Sequence, residues 1–554
     1  MKEPWLKVFY NYHLEKSCLR LDVLPKLHIC ADYLMIICAI LFETPLYRRK
    51  SLDNLRNGIK KVIFAQKNHL NMAQKVIGRT AEMKALKSYL DSGRSEFVAL
   101  YGRRRVGKTF LIRMAAEDKF SFYVTGVHGA TKAEQLTAFA IAIQKCSGSE
   151  RLNIQKNWIL AFYELSRYLE TLPEGKKVIF IDELPWMDTP KSGFIAALEN
   201  FWNSWAALRD DVKLIVCGSA TSWMINNLIH SRGGLHNRLT HHLFLEPFCL
   251  KECEAYFKEY GFSYSRKQIA ECYMVMGGIP YYMSMMDRSK SLAQNIDALF
   301  FSPNAELKDE FSNLYQALFK NAGPHIKVIT ALSTKGMGLT RKEILASTGL
   351  TDNGAFSTVL EELENCGFIR KYSPFGSNIS LNRKRQDSSS LYQLIDFYTL
   401  FYFRFIEKNC YQDEHFWTTS VNSPLHNTWC GLSFEMLCLC HLKQIKQALG
   451  ISGVQTLACS WRGKGNESRK GVQIDLLIDR KDETINLCEI KYSKDKFEIS
   501  LAEEQKLSTR LDTFRTETQT KKSVLLTLIT TNGIKQNSHS DIVQSEVTLE
   551  DLFW

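Results

Sequence analysis

The sequence predicts a multidomain α/β protein, and three observations carry that prediction. A glycine-rich loop lies between a strand-like and a helix-like run. An apolar run further on ends in Asp182-Glu183. Late in the chain, two more apolar runs carry acids at matching positions. With 554 residues, 45% of them hydrophobic, the chain has material for about three or four domains with cores of their own.

The loop reads Gly102-Arg-Arg-Arg-Val-Gly-Lys-Thr109, a complete G-x-x-x-x-G-K-[ST] pattern. Phe97 to Tyr101 before it suits a buried strand, and Phe110 to Ala116 after it suits a helix. In that order the glycines let backbone N–H groups curl around phosphates, a lysine reaches the phosphate oxygens, and a hydroxyl ligates Mg²⁺. The expected ATP-binding set is therefore Gly102, Arg103, Arg104, Arg105, Val106, Gly107, Lys108, Thr109 and Phe110, with Thr109 also a metal ligand. A glycine turn beside a solvated lysine is the alternative, and the strand–loop–helix context argues against it. The three arginines have two readings, a phosphate or DNA contact and salt bridges within the packed sheet.

Val178-Ile-Phe-Ile181 is apolar throughout, as a strand covered on both faces must be. It runs into Asp182, expected to hold Mg²⁺ through water, and Glu183, expected to polarise the attacking water. A third apolar run, Lys213 to Cys217, leads to Gly218-Ser219, where Ser219 is placed to sense the γ-phosphate or the water.

Composition bounds the rest. Fifteen cysteines without paired spacing argue against a disulfide framework and for a reducing cytoplasm. Cys249/Cys253 and Cys438/Cys440/His441 are zinc half-sites without a second half. The net charge of +12 suits nucleic-acid contact. Residues 1–71 hold twelve Lys/Arg against six Asp/Glu, half of that excess. Their one apolar run, Tyr33 to Phe42, is too short to span a bilayer, so no membrane is expected. The segment reads as an extension outside the working protein, with Met72 as the working start.

Val76-Ile-Gly-Arg79-x-x-Glu82, the loop, Phe180-Ile-Asp-Glu183, Gly218-Ser219 and Gly277-Gly-Ile-Pro-Tyr281 together resemble the prokaryotic AAA-like ATPases of the archaeal ATPase family. The resemblance covers roughly residues 76–500. It implies that Ile77 and Gly78 pack near the adenine, and that Gly277 to Tyr281 belongs to a helical lid. It also implies that Arg238 reaches the γ-phosphate of its own or a neighbouring subunit, the second case requiring a homo-oligomer. A guanidinium fork suits that task because it neutralises charge on the transferring phosphoryl group. Members with this layout often carry a winged helix and a carboxy-terminal domain similar to PD-(D/E)xK nucleases.

Residues 324–405 read as such a winged helix. Ile326 to Leu332 fits a first helix, and Thr340 with Glu343 has the capping-box pattern. Ala355 to Asn365 is the helix that would enter a major groove, and Gly367 starts the wing. That helix carries Glu361, Glu362 and Glu364 and no Lys or Arg, while Arg370, Lys371, Arg383, Lys384 and Arg385 lie in the wing region. A wing on DNA phosphates and a module facing protein partners both remain open. Leu391 to Phe405 is expected to be an aromatic helix, its rings core rather than a stacking surface.

At the carboxy terminus, Ile474 to Ile478 and Ile485 to Lys491 read as strands joined by a short polar loop. Antiparallel pairing sets Asp475 opposite Glu489, with Lys491 on the same face. Facing carboxylates repel, and a divalent metal between them would relieve that. Lys491 is then the expected catalytic cation for phosphodiester cleavage, with Asp475 and Glu489 as metal ligands. Glu435 matches the family's upstream acidic ligand. The other reading is a solvated hairpin face in which Lys491 pairs both acids; cleavage is a separate question, because the nuclease-like fold that the resemblance implies also occurs in inactive binding modules.

The expected domains are an extension at 1–71, a P-loop parallel-sheet core at 72–240, a helical lid at 241–322, a winged helix at 323–410, and a PD-(D/E)xK-like domain at 411–554. The expected function is ATP hydrolysis with Mg²⁺, acting on or binding DNA. The alternative is a nucleotide switch that binds protein partners with an inactive tail.

Overall fold

The computed structural model describes residues 75–230, 233–235, 237–319, 321–376, 390–409, 413–463 and 471–554. The chain divides into two units, Met1–Val76 and Ile77–Trp554. The expectations placed on residues 1–71 and on Met72 lie outside the described residues, as do Arg383, Lys384 and Arg385.

The second unit opens with a five-stranded parallel sheet. Its strands are β1 (Glu96–Tyr101), β2 (Phe122–Thr125), β3 (Lys177–Asp182), β4 (Val212–Gly218) and β5 (His241–Phe244), in the order β2-β3-β4-β1-β5. β3 and β4 are buried along their whole length, which explains their unbroken apolar sequence. Helices Lys132–Ser147, Trp158–Thr171 and Phe194–Ser204 cover one face, and Phe122, Phe139, Trp158, Phe162 and Phe194 share that core. The core extends past the expected boundary at 240, because β5 pairs with β1 from Val98↔His241 to Tyr101↔Phe244. β5 is an edge strand alternating half-buried and exposed residues, so it lacks the apolar signature of its neighbours.

Helices follow, among them Leu250–Glu259, Arg266–Met276 and Glu310–Leu318. Next come helix Ala322–Ser333, β6 (Leu339–Thr340), helices Arg341–Thr348 and Gly354–Asn365, β7 (Ile369–Tyr372) and β8 (Leu391–Leu394). These strands form an antiparallel sheet in the order β6-β8-β7. The Thr340 capping box forms: Thr340 N–H donates to Glu343 Oε2 at 2.7 Å, and Glu343 N–H donates to Thr340 Oγ1 at 3.3 Å. Leu391 to Leu394 is strand rather than helix, paired with both β6 and β7. The helix begins only at Phe397, where Asp396 caps it by accepting from Thr399 N–H at 2.9 Å. Its rings are core, as Phe401 and Phe405 pack on Trp417 and Trp429.

Helix Gly354–Asn365 turns towards the parallel sheet. Asn365 Nδ2 donates to Ser222 Oγ at 3.3 Å. Ala355, Val359 and Glu362 line a cavity of about 830 Å³ shared with Trp186, Thr221 and Trp223.

The last part has helix Pro424–Cys440 followed by β9 (Thr456–Arg462), β10 (Gln473–Arg480), β11 (Thr484–Lys491), β12 (Phe497–Glu498), β13 (Ser523–Thr530), β14 (Ile534–Lys535) and β15 (Ser545–Thr548). Its main sheet runs β15-β13-β11-β10-β9. β9, β10 and β11 are antiparallel, whereas β11, β13 and β15 are parallel. Helix Leu501–Thr518 supplies the crossover that parallel β11 and β13 require, packing Leu507 and Phe514 on Leu487 and Leu526. Among the described residues, no helix is long and apolar enough to cross a membrane.

Candidate functional site

The glycine-rich loop leaves β1 at Gly102 with φ +143, and a Cβ there would lie 2.4 Å from the Leu245 carbonyl oxygen. Only glycine fits that approach. Gly107, with φ +93, turns the chain into helix Lys108–Ala115, which begins without a side-chain cap. The positive end of that helix therefore faces the loop, as an anion site requires.

Lys108 is buried, and its Nζ donates to the Gly102 and Arg103 carbonyls at 2.9 and 2.8 Å. Burial pushes this ammonium below its usual range, opposed by the nearby charges of Glu183 and Asp182. Thr109 Oγ1 donates to Asp182 Oδ2 at 3.0 Å, so the two expected Mg²⁺ ligands meet. A hydroxyl and a carboxylate are hard oxygen donors and fit that ion. The other Asp182 oxygen accepts from Glu183 N–H at 3.0 Å and from the Cys217 thiol at 2.6 Å. Cys217 was not among the residues singled out in the sequence, where it is one more apolar residue of β4.

Glu183 occupies the left-handed region at φ 47 directly after β3. Its Oε2 accepts from Ser219 N–H at 3.0 Å and Ser219 Oγ at 2.8 Å. β3 and β4 are neighbours, so the ends of two adjacent strands bring these residues together. The expected sensor residue Ser219 thus meets Glu183 directly.

The loop arginines face protein. Arg103 is buried, its Nη1 ion-paired with Asp396 and its guanidinium 4.9 Å from the Phe368 ring centroid. Arg105 pairs with buried Glu310 at 2.6 Å and lies 4.5 Å over the Tyr281 ring. Arg104 is half-buried and contributes to the positive field on Glu310. Of the two readings, salt bridges describe Arg103 and Arg105, though the partners are buried carboxylates from later elements rather than from the sheet.

Leu245 to Phe248 forms a hub. Leu245 closes on Gly102, the Glu246 carbonyl accepts from Arg79, and Phe248 N–H donates to the Gly278 carbonyl at 2.8 Å. Beside it, Arg79 N–H donates to Glu252 Oε1 at 3.1 Å, and a Cβ on Gly78 would lie 2.6 Å from that same oxygen. Ile77 and Gly78 are thus anchored at the edge of the helical segment that carries Gly277 and Tyr281. Arg238 lies exposed in the turn before β5, its N–H donating to Leu235 O at 3.1 Å.

Residues 77–286 match the sequence family described as an ATPase domain predominantly from Archaea. Over that segment the chain is similar to an ATPase domain. An uncharacterized protein of Methanocaldococcus jannaschii is 23% identical over 427 residues, 75% of this chain and 87% of that relative. Among solved structures, the Walker-type ATPase of Pyrococcus abyssi is similar at 16% identity and TM-score 0.42, covering 59% of this chain and 96% of that one. The Aeropyrum pernix ORC2 protein is similar at 15% identity and TM-score 0.29, covering 58% and 90%.

Outside the ATPase domain, the carboxy-terminal acids are close neighbours. Leu476 pairs with Cys488, so the next residues along the two strands are Asp475 and Glu489, in the expected register. Glu435 on helix Pro424–Cys440 has its carboxyl pushed up to about 8, first by burial and then by the charges of Asp475 and Glu489. Glu489 is nevertheless neutralised already, by Arg510 at Oε2 and by Lys491 at Oε1, 2.8 Å away. Lys491 also reaches Glu503 at 3.4 Å, and Asp475 accepts from Gln473 Nε2 at 2.6 Å. Among the described residues, no group of three or more His, Cys, Asp or Glu side chains is placed to hold a metal ion. Asp475, Glu489 and Glu435, the expected metal set, lie near one another, with Glu489 ion-paired to Lys491 and Arg510. The sequence concealed Arg510, which arrives from the crossover helix. In the second zinc half-site, His441 takes the Leu250 N–H at 3.2 Å and its Nδ1 lies 2.9 Å from the Leu437 carbonyl.

Proposed function

We propose that this protein hydrolyses ATP in its ATPase domain and binds nucleic acid through its carboxy-terminal half. The observation that carries the first part is the Glu183–Ser219 contact beside Lys108 and Thr109. Lys108 exchanges its loop carbonyls for β- and γ-phosphate oxygens when the nucleotide enters. Glu183 has Oε2 fixed by Ser219, which orients Oε1 to take the proton of the attacking water. Thr109 and Asp182 would hold Mg²⁺, which neutralises phosphate charge when bound. Arg238, being exposed, is offered to the γ-phosphate of a second copy.

For the second part, three helices with a β6-β8-β7 sheet support a winged helix, and the β9–β15 sheet with its crossover helix supports a PD-(D/E)xK-like domain. We read the latter as a binding module, because Lys491 and Arg510 neutralise the acid that a cleavage metal would need. ATP turnover measured with and without DNA tests the whole reading, with a rise on DNA addition as the expected result. Plasmid cleavage in Mg²⁺ or Mn²⁺ would overturn the binding-module assignment.

A second reading has one observation in its favour. Helix Gly354–Asn365 carries its acids beside the ATPase core, where Asn365 bonds Ser222, a position that suits a nucleotide-driven switch for protein partners. In that case DNA leaves turnover unchanged.

A further inference from the structure

A cavity of about 790 Å³ lies between the β6-β8-β7 sheet and the carboxy-terminal domain. Five cations line it; Lys335 pairs with Glu343 and Arg370 stacks on Tyr372, which leaves Arg404 and Lys408 beyond Phe403 and Arg462 at the end of β9. All three are exposed, and among the described residues none has an ion-pair partner. Glu407 is the one carboxylate near Arg404 and Lys408 on that wall. Three cations left unpaired around a single cavity form an electrostatic footprint for phosphates.

The cavity also has what a base requires. Tyr372 lines it with Arg370 stacked at 4.7 Å over its ring, and Trp429 and the exposed Leu432 add apolar wall. Aromatic faces beside a cationic track are the recurring form of single-strand sites, because every base has a π-face. Glu435 and Asp475 close the inner end. The volume admits roughly one or two nucleotides of one strand. It excludes a duplex, whose major groove alone is about 12 Å wide.

We propose that this cavity takes a single nucleic-acid strand, with phosphates on Arg404, Lys408 and Arg462 and a base against Tyr372. The inference rests on the nucleic-acid reading above and adds to it the strandedness and the site.

Fluorescence anisotropy on the full chain tests it, in EDTA, with one short labelled sequence presented as single-stranded DNA, single-stranded RNA and blunt duplex. A single strand is expected to bind about tenfold or more tighter than the duplex, and the preferred arm identifies DNA or RNA. The double variant Arg404→Gln/Arg462→Gln is expected to weaken strand binding about tenfold. It should also lower the slope of log K against log salt by about 1.4, since each lost phosphate contact removes about 0.7. Both residues are exposed, so the melting temperature should not move. Duplex binding as tight as strand binding, or an unchanged salt slope in the double variant, overturns this site while leaving nucleic-acid binding intact. No binding by any of the three probes overturns both.

Discussion

Arg103 and Asp396 form a buried ion pair across 293 residues of sequence, joining the phosphate-binding loop to the segment just after β8. Asp396 also caps the aromatic helix, and Arg105 makes a second tie from the same loop to Glu310. The variable positions of the loop therefore fasten the ATPase core to the elements that follow it. Asp396→Asn leaves the Arg103 guanidinium buried without its countercharge and should cost about 3–5 kcal/mol of stability, read by denaturant unfolding. A double-mutant cycle with Arg103→Gln should show strong coupling, and additive losses would mean that the pair contributes nothing as a pair.

Turnover should separate from binding at Glu183. Glu183→Gln keeps the bonds from Ser219 but cannot take a proton, so ATP affinity should hold while kcat falls about 10²–10⁴-fold. Ser219→Ala removes the hydroxyl donor but leaves the backbone N–H on Glu183 Oε2, and should lower kcat less, again without loss of affinity. Lys108→Ala should abolish nucleotide binding. Wild-type turnover in Glu183→Gln would remove this residue from the chemistry.

Stability should depend on pH through Glu435. Its carboxyl, raised from 4.5 to about 8, keeps a proton in the folded state that the unfolded chain has already released. The stabilisation is complete below about pH 4.5 and is lost as pH rises through 8, by at most about 1.4 kcal/mol per pH unit. Glu435→Gln has no proton to lose, so its melting temperature should fall less between pH 6 and 8.5 than that of the wild type. Parallel curves for the two proteins would show that the carboxyl is not perturbed.

Divalent metal should do little to the carboxy-terminal domain, because Lys491 and Arg510 already neutralise Glu489. Mn²⁺ is expected to leave the melting temperature of an ATPase-null Lys108→Ala protein unchanged. Adding Arg510→Gln vacates one Glu489 oxygen, and Mn²⁺ should then stabilise the protein. A Mn²⁺-dependent rise without Arg510→Gln, lost on adding Asp475→Asn, would restore the metal-site reading.

The chain by itself determined every feature that depends on local spacing. The Gly102–Thr109 loop, the apolar β3 ending in Asp182-Glu183, the Thr340 capping box and the Asp475/Glu489 register all follow from glycine geometry, burial on both faces or a two-residue strand period. β5 escaped notice because an edge strand has only one neighbour and need not be apolar, and Leu391–Leu394 because β-pairing overrode an aromatic run that also suits a helix. Only the tertiary structure decided what each charge is for. Arg103 faces Asp396, and Glu489 faces Arg510. The physical reason is the same in both places. A buried charge must find a countercharge, and in each pair that countercharge comes from an element whose approach no local pattern encodes.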